Sequence, residues 1–414
     1  MTTADGSVAD ASGTTRWHVR AKSIGDLTLR LSSIWGEAAA EAERAQLEPQ
    51  DLERALGDPR LGGHLDDARD VRVRMRTSVL TLVVVAPRPE TAERAAAVIH
   101  ALARRHPSRA VILSPGDPDG PTSVDAHIYA ACQLSERSGA EICTEEILLK
   151  VGGELCQHLA TAVAPLLIHD LPVVLWWPDD PPFGSRQFRD IAAECDRLLV
   201  DSGTFRDDGT RRLAGMAAAM SGGVAVVDIG WLRLTLWREL LAGMFDHPLL
   251  TNELGNVRSL RIDVARPGQT FRITKAACFA GWLASRLDWE IKQPIGPDGD
   301  GDSLVGSFRQ GRREIRVEFR PTRATLDGSV RSAGSLVRVE LEMARPRCAV
   351  RARVTRQADH LLATADWNGA QVTRRAGQLE PFDETPFVAE ALDRTGYDRI
   401  FELALMRAVR LAGA

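Results

Sequence analysis

The sequence of 414 residues lacks the features that mark membrane and secreted proteins. No apolar run reaches the roughly 18 residues that a membrane-spanning helix needs, so we expect no membrane partner. The polar N-terminus MTTADGSVADASGTTR has no apolar segment of the kind found in signal peptides, which favours a cytoplasmic location. We expect residues 1–22 to form a disordered tail.

Cysteine is scarce and positive charge is not in excess. The chain has six cysteines with no CxxC pair, which indicates reduced thiols and not a disulfide framework. One set of residues offers zinc-ligating atoms: Cys143, Cys156, His158 and His169. Its spacing matches no regular ligand pattern, so no zinc is expected. The net charge of −4 argues against nucleic acid as the partner.

A nucleotide-binding glycine motif is also missing. The runs 78–87 and 109–115 are apolar and β-branched, and a helical pattern lies between them, which predicts a βαβ unit. The first βα turn reads VVVAPRPET, with two prolines and no glycine. A pyrophosphate needs close backbone approach and free N–H groups at this turn. We therefore expect no bound cofactor.

One stretch resembles the opening of a calcium loop. Asp298, Asp300 and Asp302 alternate as in an EF-hand, but Arg309 stands where that loop requires a bidentate glutamate. We interpret residues 293–302 as a solvated loop, and no metal is expected.

Strand and helix patterns continue to residue 229 and then change in character. We predict a doubly wound, mainly parallel α/β domain of Rossmann-like type over 23–229, and an α+β domain with an antiparallel sheet and terminal helices over 230–414. In the second domain, the segments 313–320, 335–343 and 348–356 alternate apolar with charged residues. This pattern predicts one buried face and one wet face that carries arginine and glutamate. The wet face is one of two candidate docking surfaces, and its arginines are Arg316, Arg338, Arg351 and Arg353.

The most unusual stretch is HDLPVVLWWPDDPPF, residues 169–183. Neighbouring side chains on a strand point to opposite faces, so at least one tryptophan is expected in the core. The other could join a rigid aromatic and acidic lip that docks a partner, because tryptophan buries much area with little loss of entropy. The predicted partner-binding residues are Trp176, Trp177, Pro178, Asp179, Asp180, Pro181, Pro182 and Phe183.

A second candidate lies where the strand DRLLVDSG ends. Asp201, Ser202 and Gly203 stand at the carboxyl end of a predicted strand, where α/β sheets place ligands. The same residue types also serve as ordinary helix caps. Neither a nucleophile elbow nor a separated acid–base pair is evident, so no catalytic residue is predicted.

Several of these segments together resemble one protein family. The run CTEEI at 143–147, the glycine pair at 152–153, LATAVAPLLIHDLPVVLWWPDDPP at 159–182 and CDRLLVDSGTF at 195–205 are similar to the glucose-6-phosphate dehydrogenase assembly proteins, the OpcA family. The segment 231–246 resembles the opening of the C-terminal region of that family.

The resemblance implies a non-catalytic partner that binds glucose-6-phosphate dehydrogenase, favours its active oligomer and supports the oxidative pentose phosphate pathway. An allosteric activator of this kind must bind the active form of the enzyme better than the inactive one. The alternative from the residues alone is a sugar-phosphate- or nucleotide-binding α/β enzyme with its site at Asp201, Ser202 and Gly203.

Overall fold

A computed structural model describes most of the chain. The described residues are 8–9, 15–47, 74–76, 78–134, 141–207, 209–299, 301–323, 325–326, 329–330, 332–379 and 383–414. The chain divides into two compact units. Unit 1 comprises Met1–Trp176 and Arg189–Asp196, and unit 2 comprises Trp177–Phe188 and Arg197–Ala414. The predicted domain division at residue 229 stays a prediction.

Unit 1 is built on a mixed sheet whose central strands are parallel. Its strands are β1 Val8–Ala9, β2 Thr15–Ala21, β3 Arg74–Arg76, β4 Leu80–Val85, β5 Ser108–Pro115, β6 Ser123–Leu134, β7 Glu141–Gly152 and β8 Val173–Trp177. They follow the order β1-β2-β6-β7-β5-β4-β8, and β3 pairs with β7. Strand β4 is fully buried and pairs in parallel with β5 and β8, as its apolar run predicts.

The helices associated with this sheet are α1 Ile24–Leu47, α2 Pro89–Leu102, α3 Leu159–Val163 and α4 Arg186–Ala193. Helix α2 begins at a proline, which costs nothing there because the first N–H groups of a helix have no partner within it. The apolar spacing of Leu155, Leu159 and Val163 predicts one continuous helix from Glu154, and this prediction is wrong. Short 3₁₀ turns at Gly153–Gln157 and Ala164–Leu166 flank α3 instead, and Pro165 within the second turn lacks an N–H to continue the helix.

Unit 2 begins with two parallel strands, β9 Arg197–Val200 and β10 Ala225–Asp228. Its helices are α5 Thr210–Ser221, α6 Ile229–Leu232, α7 Thr235–Met244, α8 Thr274–Arg286, α9 Thr385–Asp393 and α10 Arg399–Leu411. The apolar row Leu232, Leu236, Leu240 and Met244 predicts one helix over 231–245, but the chain forms two, α6 and α7. Helix α8 is buried along most of its length, and α10 packs against it.

An eight-stranded sheet completes unit 2. Its strands are β11 Val257–Ala265, β12 Glu290–Pro297, β13 Leu304–Gln310, β14 Arg313–Thr322, β17 Leu336–Arg345, β18 Cys348–Arg356, β19 His360–Trp367 and β20 Ala370–Gln378. A separate small ladder pairs β15 Thr325–Leu326 with β16 Ser329–Val330. The order is β12-β13-β14-β11-β17-β18-β19-β20, and every pairing is antiparallel except that of β11 with β14. The predicted fold class, α/β followed by a mainly antiparallel C-terminal sheet, is confirmed.

The alternation read from the sequence gives this sheet its core. The apolar residues of β14, β17 and β18 are buried and the charged ones between them face outward, in the register of a half-covered sheet. Helix α7 packs against β18, β19 and β20, and α8 packs against β11.

Two further expectations need correction. Residues 293–297 were expected in a loop but belong to β12, whose proline at 294 is tolerated because β12 is an edge strand. The tail was expected to reach residue 22, yet Thr15–Ala21 pairs with β6. Most of residues 1–14 lie outside the described part of the chain, as does Asp300 of the calcium-like stretch.

Among the described residues, no helix has both the length and the apolar character needed to cross a bilayer. Within the same residues, no group of three or more histidine, cysteine, aspartate or glutamate side chains is arranged to hold a metal ion.

Candidate functional site

The lip, residues 176–183, is a tightly packed corner. Both Trp176 and Trp177 are buried, so neither indole ring is open to a partner. Phe183 is also buried, and its ring lies 5.0 Å from that of Phe188 and 5.9 Å from that of Phe205. The three rings therefore fix the course of the chain after β8.

The acidic residues of the lip are partly engaged as well. Asp180 pairs with Arg212 of α5 at 2.8 Å and lies 3.6 Å from Arg206. Asp179 and Pro182 are half-buried. The expectation that a tryptophan ring belongs to a docking surface is therefore corrected, and what the lip offers a partner is its half-buried polar edge. Docking through the lip stays a prediction.

The second predicted site belongs to a buried polar cluster in unit 2, formed by Asp201, Ser202, Asp228, Arg233 and Lys275. Asp201 follows β9 and caps a short 3₁₀ turn by accepting a hydrogen bond of 2.8 Å from the N–H of Gly203. Its second oxygen accepts from the guanidinium of Arg233. A side chain at Gly203 would crowd this cluster, because a Cβ there would lie 2.9 Å from Asp201 Oδ1 and 3.1 Å from Lys275 Nζ.

Asp228 is the hub of this buried polar cluster. It follows β10, and its carboxylate caps α6 by accepting from the N–H groups of Gly230 at 2.9 Å and Trp231 at 3.1 Å. The same carboxylate accepts from Ser202 twice, from the N–H at 2.8 Å and from Oγ at 2.7 Å. Four donors thus saturate one buried carboxylate.

Burial and mutual charge displace the pKa values of the cluster. Burial alone would raise the pKa of Asp201, but the positive charges of Arg233 and Lys275 outweigh it and hold the pKa below its usual range. Burial and the like charge of Asp201 raise the pKa of Asp228 to about 6. Burial also lowers the pKa of Lys275 to about 8. Two carboxylates facing two cations keep the buried charge balanced near neutral pH.

This arrangement joins secondary-structure elements. Thr274 Oγ1 donates to the carbonyl of Ser202 at 3.0 Å, and Arg272 Nη1 donates to the carbonyl of Gly203 at 3.2 Å, so the start of α8 is tied to the end of β9. An anion would need the N–H groups of Ser202 and Gly203, and both already donate to carboxylates. A ligand role for Asp201, Ser202 and Gly203 stays a prediction.

Sequence reasoning found Asp201 and missed Asp228, Arg233 and Lys275. One available signal was the parallel pairing of β9 with β10, which brings the carboxyl ends of both strands to the same edge. The other was Lys275, a rare lysine at the start of an otherwise apolar helix.

The charged face of the eight-stranded sheet is a lattice of alternating ion pairs. The pairs include Arg261 Nη1 with Glu340 Oε1 at 3.2 Å, Arg320 Nε with Asp263 Oδ1 at 2.9 Å and Arg351 Nη2 with Glu342 Oε1 at 3.2 Å. The arginines named in the sequence, Arg316, Arg338, Arg351 and Arg353, all lie within 4.0 Å of a carboxylate.

A cavity of about 320 Å³ opens beside this lattice. It is lined by Asp263, Asp302, Ser303, Arg320, Pro321 and Thr322. Asp263 and Arg320 of this lining are paired with each other, and Asp302 is paired with Arg266 at 3.2 Å.

Comparison with known proteins adds what the geometry alone does not give. Residues 99–217 match a family model described as the glucose-6-phosphate dehydrogenase subunit N-terminal domain. Residues 224–405 match the model of the corresponding C-terminal domain. The two matches follow each other in order along the chain.

Individual relatives carry a consistent name. The chain is 26% identical over 311 residues to the OxPP cycle protein OpcA of Nostoc punctiforme, covering 73% of this chain and 65% of that protein. It is 27% identical to the OpcA protein of Synechococcus elongatus, covering 75% of this chain and 69% of that one. The match thus spans just under two thirds of the length of the Nostoc relative.

Among solved structures, a levoglucosan dehydrogenase in complex with NADH and L-sorbose covers 81% of this chain and 97% of its own, with a TM-score of 0.44 and 11% identity. So distant a likeness says nothing about what this chain binds. The paired domain models and the named relatives are the informative matches, and by them the chain belongs to the OpcA family of glucose-6-phosphate dehydrogenase assembly proteins.

Proposed function

We propose that this chain is a non-catalytic, cytoplasmic partner of glucose-6-phosphate dehydrogenase that favours the active oligomer of that enzyme and so supports the oxidative pentose phosphate pathway. The observation that carries the proposal is the ordered pair of family models over 99–217 and 224–405. The relatives named as OxPP cycle proteins support the same assignment.

The positions where an α/β fold would bind a phosphate support a role in binding a protein partner, because their N–H donors are missing or already engaged. The turn after β4 has prolines at 87 and 89 in place of glycines, and each proline removes an N–H donor. At the end of β9, the donors of Ser202 and Gly203 are engaged by buried carboxylates. The alternative, a sugar-phosphate- or nucleotide-binding enzyme, would require those donors to be released first.

Activation of the dehydrogenase requires unequal affinities. A partner shifts a population of enzyme conformers or oligomers only by as much as it binds one form more tightly than the other. A tenfold preference for the active oligomer corresponds to about 1.4 kcal/mol of coupling free energy.

The test is a titration of the purified chain into the dehydrogenase of the same organism. We expect a complex by light scattering, a larger dehydrogenase oligomer and a rise in kcat/KM for glucose 6-phosphate, with no oxidation of that substrate by the chain alone. Absence of a complex and unchanged kinetics would exclude the proposal. A thermal shift produced by sugar phosphates or nucleotides without the dehydrogenase would instead favour the enzyme alternative.

The lip can be tested within the same assay. Asp179→Ala is the informative variant, because Asp180 also anchors the lip to α5 through Arg212 and its removal would disturb the fold. If the lip docks the dehydrogenase, Asp179→Ala weakens the complex several-fold at a temperature where circular dichroism shows the variant to be folded. An unchanged dissociation constant would remove the carboxylate of Asp179 from the interface.

A further inference from the structure

The outer face of the last helix is the clearest exposed apolar patch among the described residues. Eight large hydrophobic side chains are exposed among all the described residues, and four of them fall between residues 397 and 406. Their exposed fractions are 62% for Tyr397, 45% for Ile400, 37% for Leu403 and 38% for Met406. The other four are scattered singly, as is ordinary for a soluble surface.

The residues on this face follow the spacing of a helix–helix seam. Ile400, Leu403, Arg407 and Arg410 are separated by three, four and three residues, which places them in one row along α10. We call this row the outer seam. The opposite face of α10 is buried and includes Phe401, Ala404, Leu405, Ala408 and Leu411. The outer seam is therefore apolar at its start, basic at its end, and left uncovered by the described residues.

Helix α10 is held rigidly behind the seam. Its backbone passes so close to α8 that a Cβ on Gly281 would lie 2.2 Å from the carbonyl oxygen of Ala404. Asp398 caps its first turn by accepting from the N–H of Phe401 at 2.9 Å. Tyr397 keeps its ring exposed while its hydroxyl donates to the carbonyl of Gly223 at 2.6 Å. A fixed apolar surface loses little entropy when a partner binds, which favours recognition.

The charges of the outer seam differ from those of the charged face. Within the described residues, Arg407 and Arg410 form no ion pair, whereas the arginines of the sheet lattice have carboxylate neighbours on adjacent strands. On the same helix, Arg399 is already paired with Glu402 at 2.6 Å. The seam thus presents apolar side chains followed by two arginines. Arg309 lowers the pKa of Glu290, and Arg407 of the seam lies near enough to Glu290 to add to that lowering.

A second copy of the chain is a poor match for this pattern. Parallel pairing of two seams would place Arg407 against Arg407 and Arg410 against Arg410. Antiparallel pairing would place Leu403 against Arg407 and Ile400 against Arg410, which buries guanidinium groups against aliphatic side chains. Both arrangements cost free energy, which favours a different protein as the partner of this surface.

We propose that the outer seam of α10, together with the neighbouring exposed Met406, docks an amphipathic helix of the partner enzyme. Its apolar side chains would lie against Ile400, Leu403 and Met406, and its carboxylates against Arg407 and Arg410. This inference rests on the proposed function, since the partner is the dehydrogenase. The docking mode is a helix laid along a helix, in which a few central apolar residues supply most of the affinity and the charges fix the register.

Two seam variants test the proposal by titration calorimetry with the dehydrogenase. Leu403→Glu is expected to raise the dissociation constant about tenfold or more. The double variant Arg407→Glu, Arg410→Glu is expected to raise it about tenfold and to flatten its dependence on salt concentration. Leu403 and Arg410 are exposed and Arg407 is half-buried, so we expect far-UV circular dichroism and thermal unfolding to be unchanged.

Matched controls change the same residue types elsewhere. Leu29→Glu alters a single exposed leucine on α1, and Arg104→Glu alters an exposed arginine after α2; both should bind as the wild type does. If the wild type binds and the seam variants bind equally well, the seam proposal is overturned while the proposed function stands. If the wild type forms no complex, both fall. A wild-type homodimer that Leu403→Glu dissociates would also overturn it, because a second copy would then occupy the seam.

Discussion

The buried polar cluster and the charged face are made of the same residue types and solve different problems. In the cluster, Asp201 and Asp228 are shielded from water, and each accepts several hydrogen bonds from fixed donors. On the charged face, Arg351 and Glu342 are about half exposed and pair across two strands. Burial is what separates the two regions.

The difference decides what each region contributes to stability. A buried carboxylate without its partners is costly, so every donor around Asp228 matters for the fold. An exposed pair exchanges solvent contacts for contacts of similar strength and contributes little. The charged face therefore gives the large sheet a polar outer surface, while the cluster joins β9, β10 and α8.

The largest expected effect is at Asp228. In Asp228→Asn, one of the two carboxylate oxygens becomes an NH₂ group. Whichever oxygen is replaced, the NH₂ group faces one donor of Ser202 and one backbone N–H, from Gly230 or from Trp231. We expect the free energy of unfolding in urea to fall by about 2–4 kcal/mol, since buried donors lose their acceptor. The exposed Asp359→Asn is the control and should unfold as the wild type does. Equal stability of the Asp228 variant would show that the cluster is not structural.

A smaller expected effect is a pH dependence of the unfolding free energy that comes from the buried polar cluster. The pKa of Asp228 is raised to about 6 by burial, so its folded state holds a proton that the unfolded chain has already lost. The stability contributed by this group is complete at low pH and is lost as the pH rises through 6. Relative to Asp228→Asn, the wild type should lose about 1 kcal/mol of unfolding free energy between pH 5 and pH 7. A difference that is constant with pH would place the pKa of Asp228 near its ordinary value.

The smallest effect is expected on the charged face. Arg351→Ala removes one exposed partner of Glu342, and the free energy of unfolding should change by about 0.5 kcal/mol or less. A loss of about 2 kcal/mol or more would mean that the lattice is a structural element comparable with the cluster. Chemical denaturation of the variant beside the wild type provides the measurement.

Sequence patterns were most informative where structure depends on near neighbours. The apolar run at 80–85 and the alternation over 313–320 gave buried and half-buried strands because the period of a strand is local. Residues 293–297 were missed as a strand because Pro294 and the glycines after it are typical of loops, and only the position at the sheet edge makes them acceptable. The hairpin of β19 and β20 was missed for a similar reason, since β20 is mostly exposed and has a weak apolar pattern.

The candidate site was less predictable than the fold. Lys275 lies 74 positions after Asp201 in the sequence, and nothing local to either residue indicates that they meet. The burial of both Trp176 and Trp177 depends on what packs against each face, which a strand pattern does not specify. Prediction of the site would have required the sheet order first.

At Gly281, no side chain separates the backbone of α8 from the backbone of α10. Where two helices touch backbone to backbone, as α8 and α10 do here, a displacement of one moves the other, because no side chain lies between them to adjust. Helix α8 begins at Thr274 and Lys275. Thr274 donates to the carbonyl of Ser202, and Lys275 faces Asp201. We therefore expect a displacement of α10 to reach the buried polar cluster through α8.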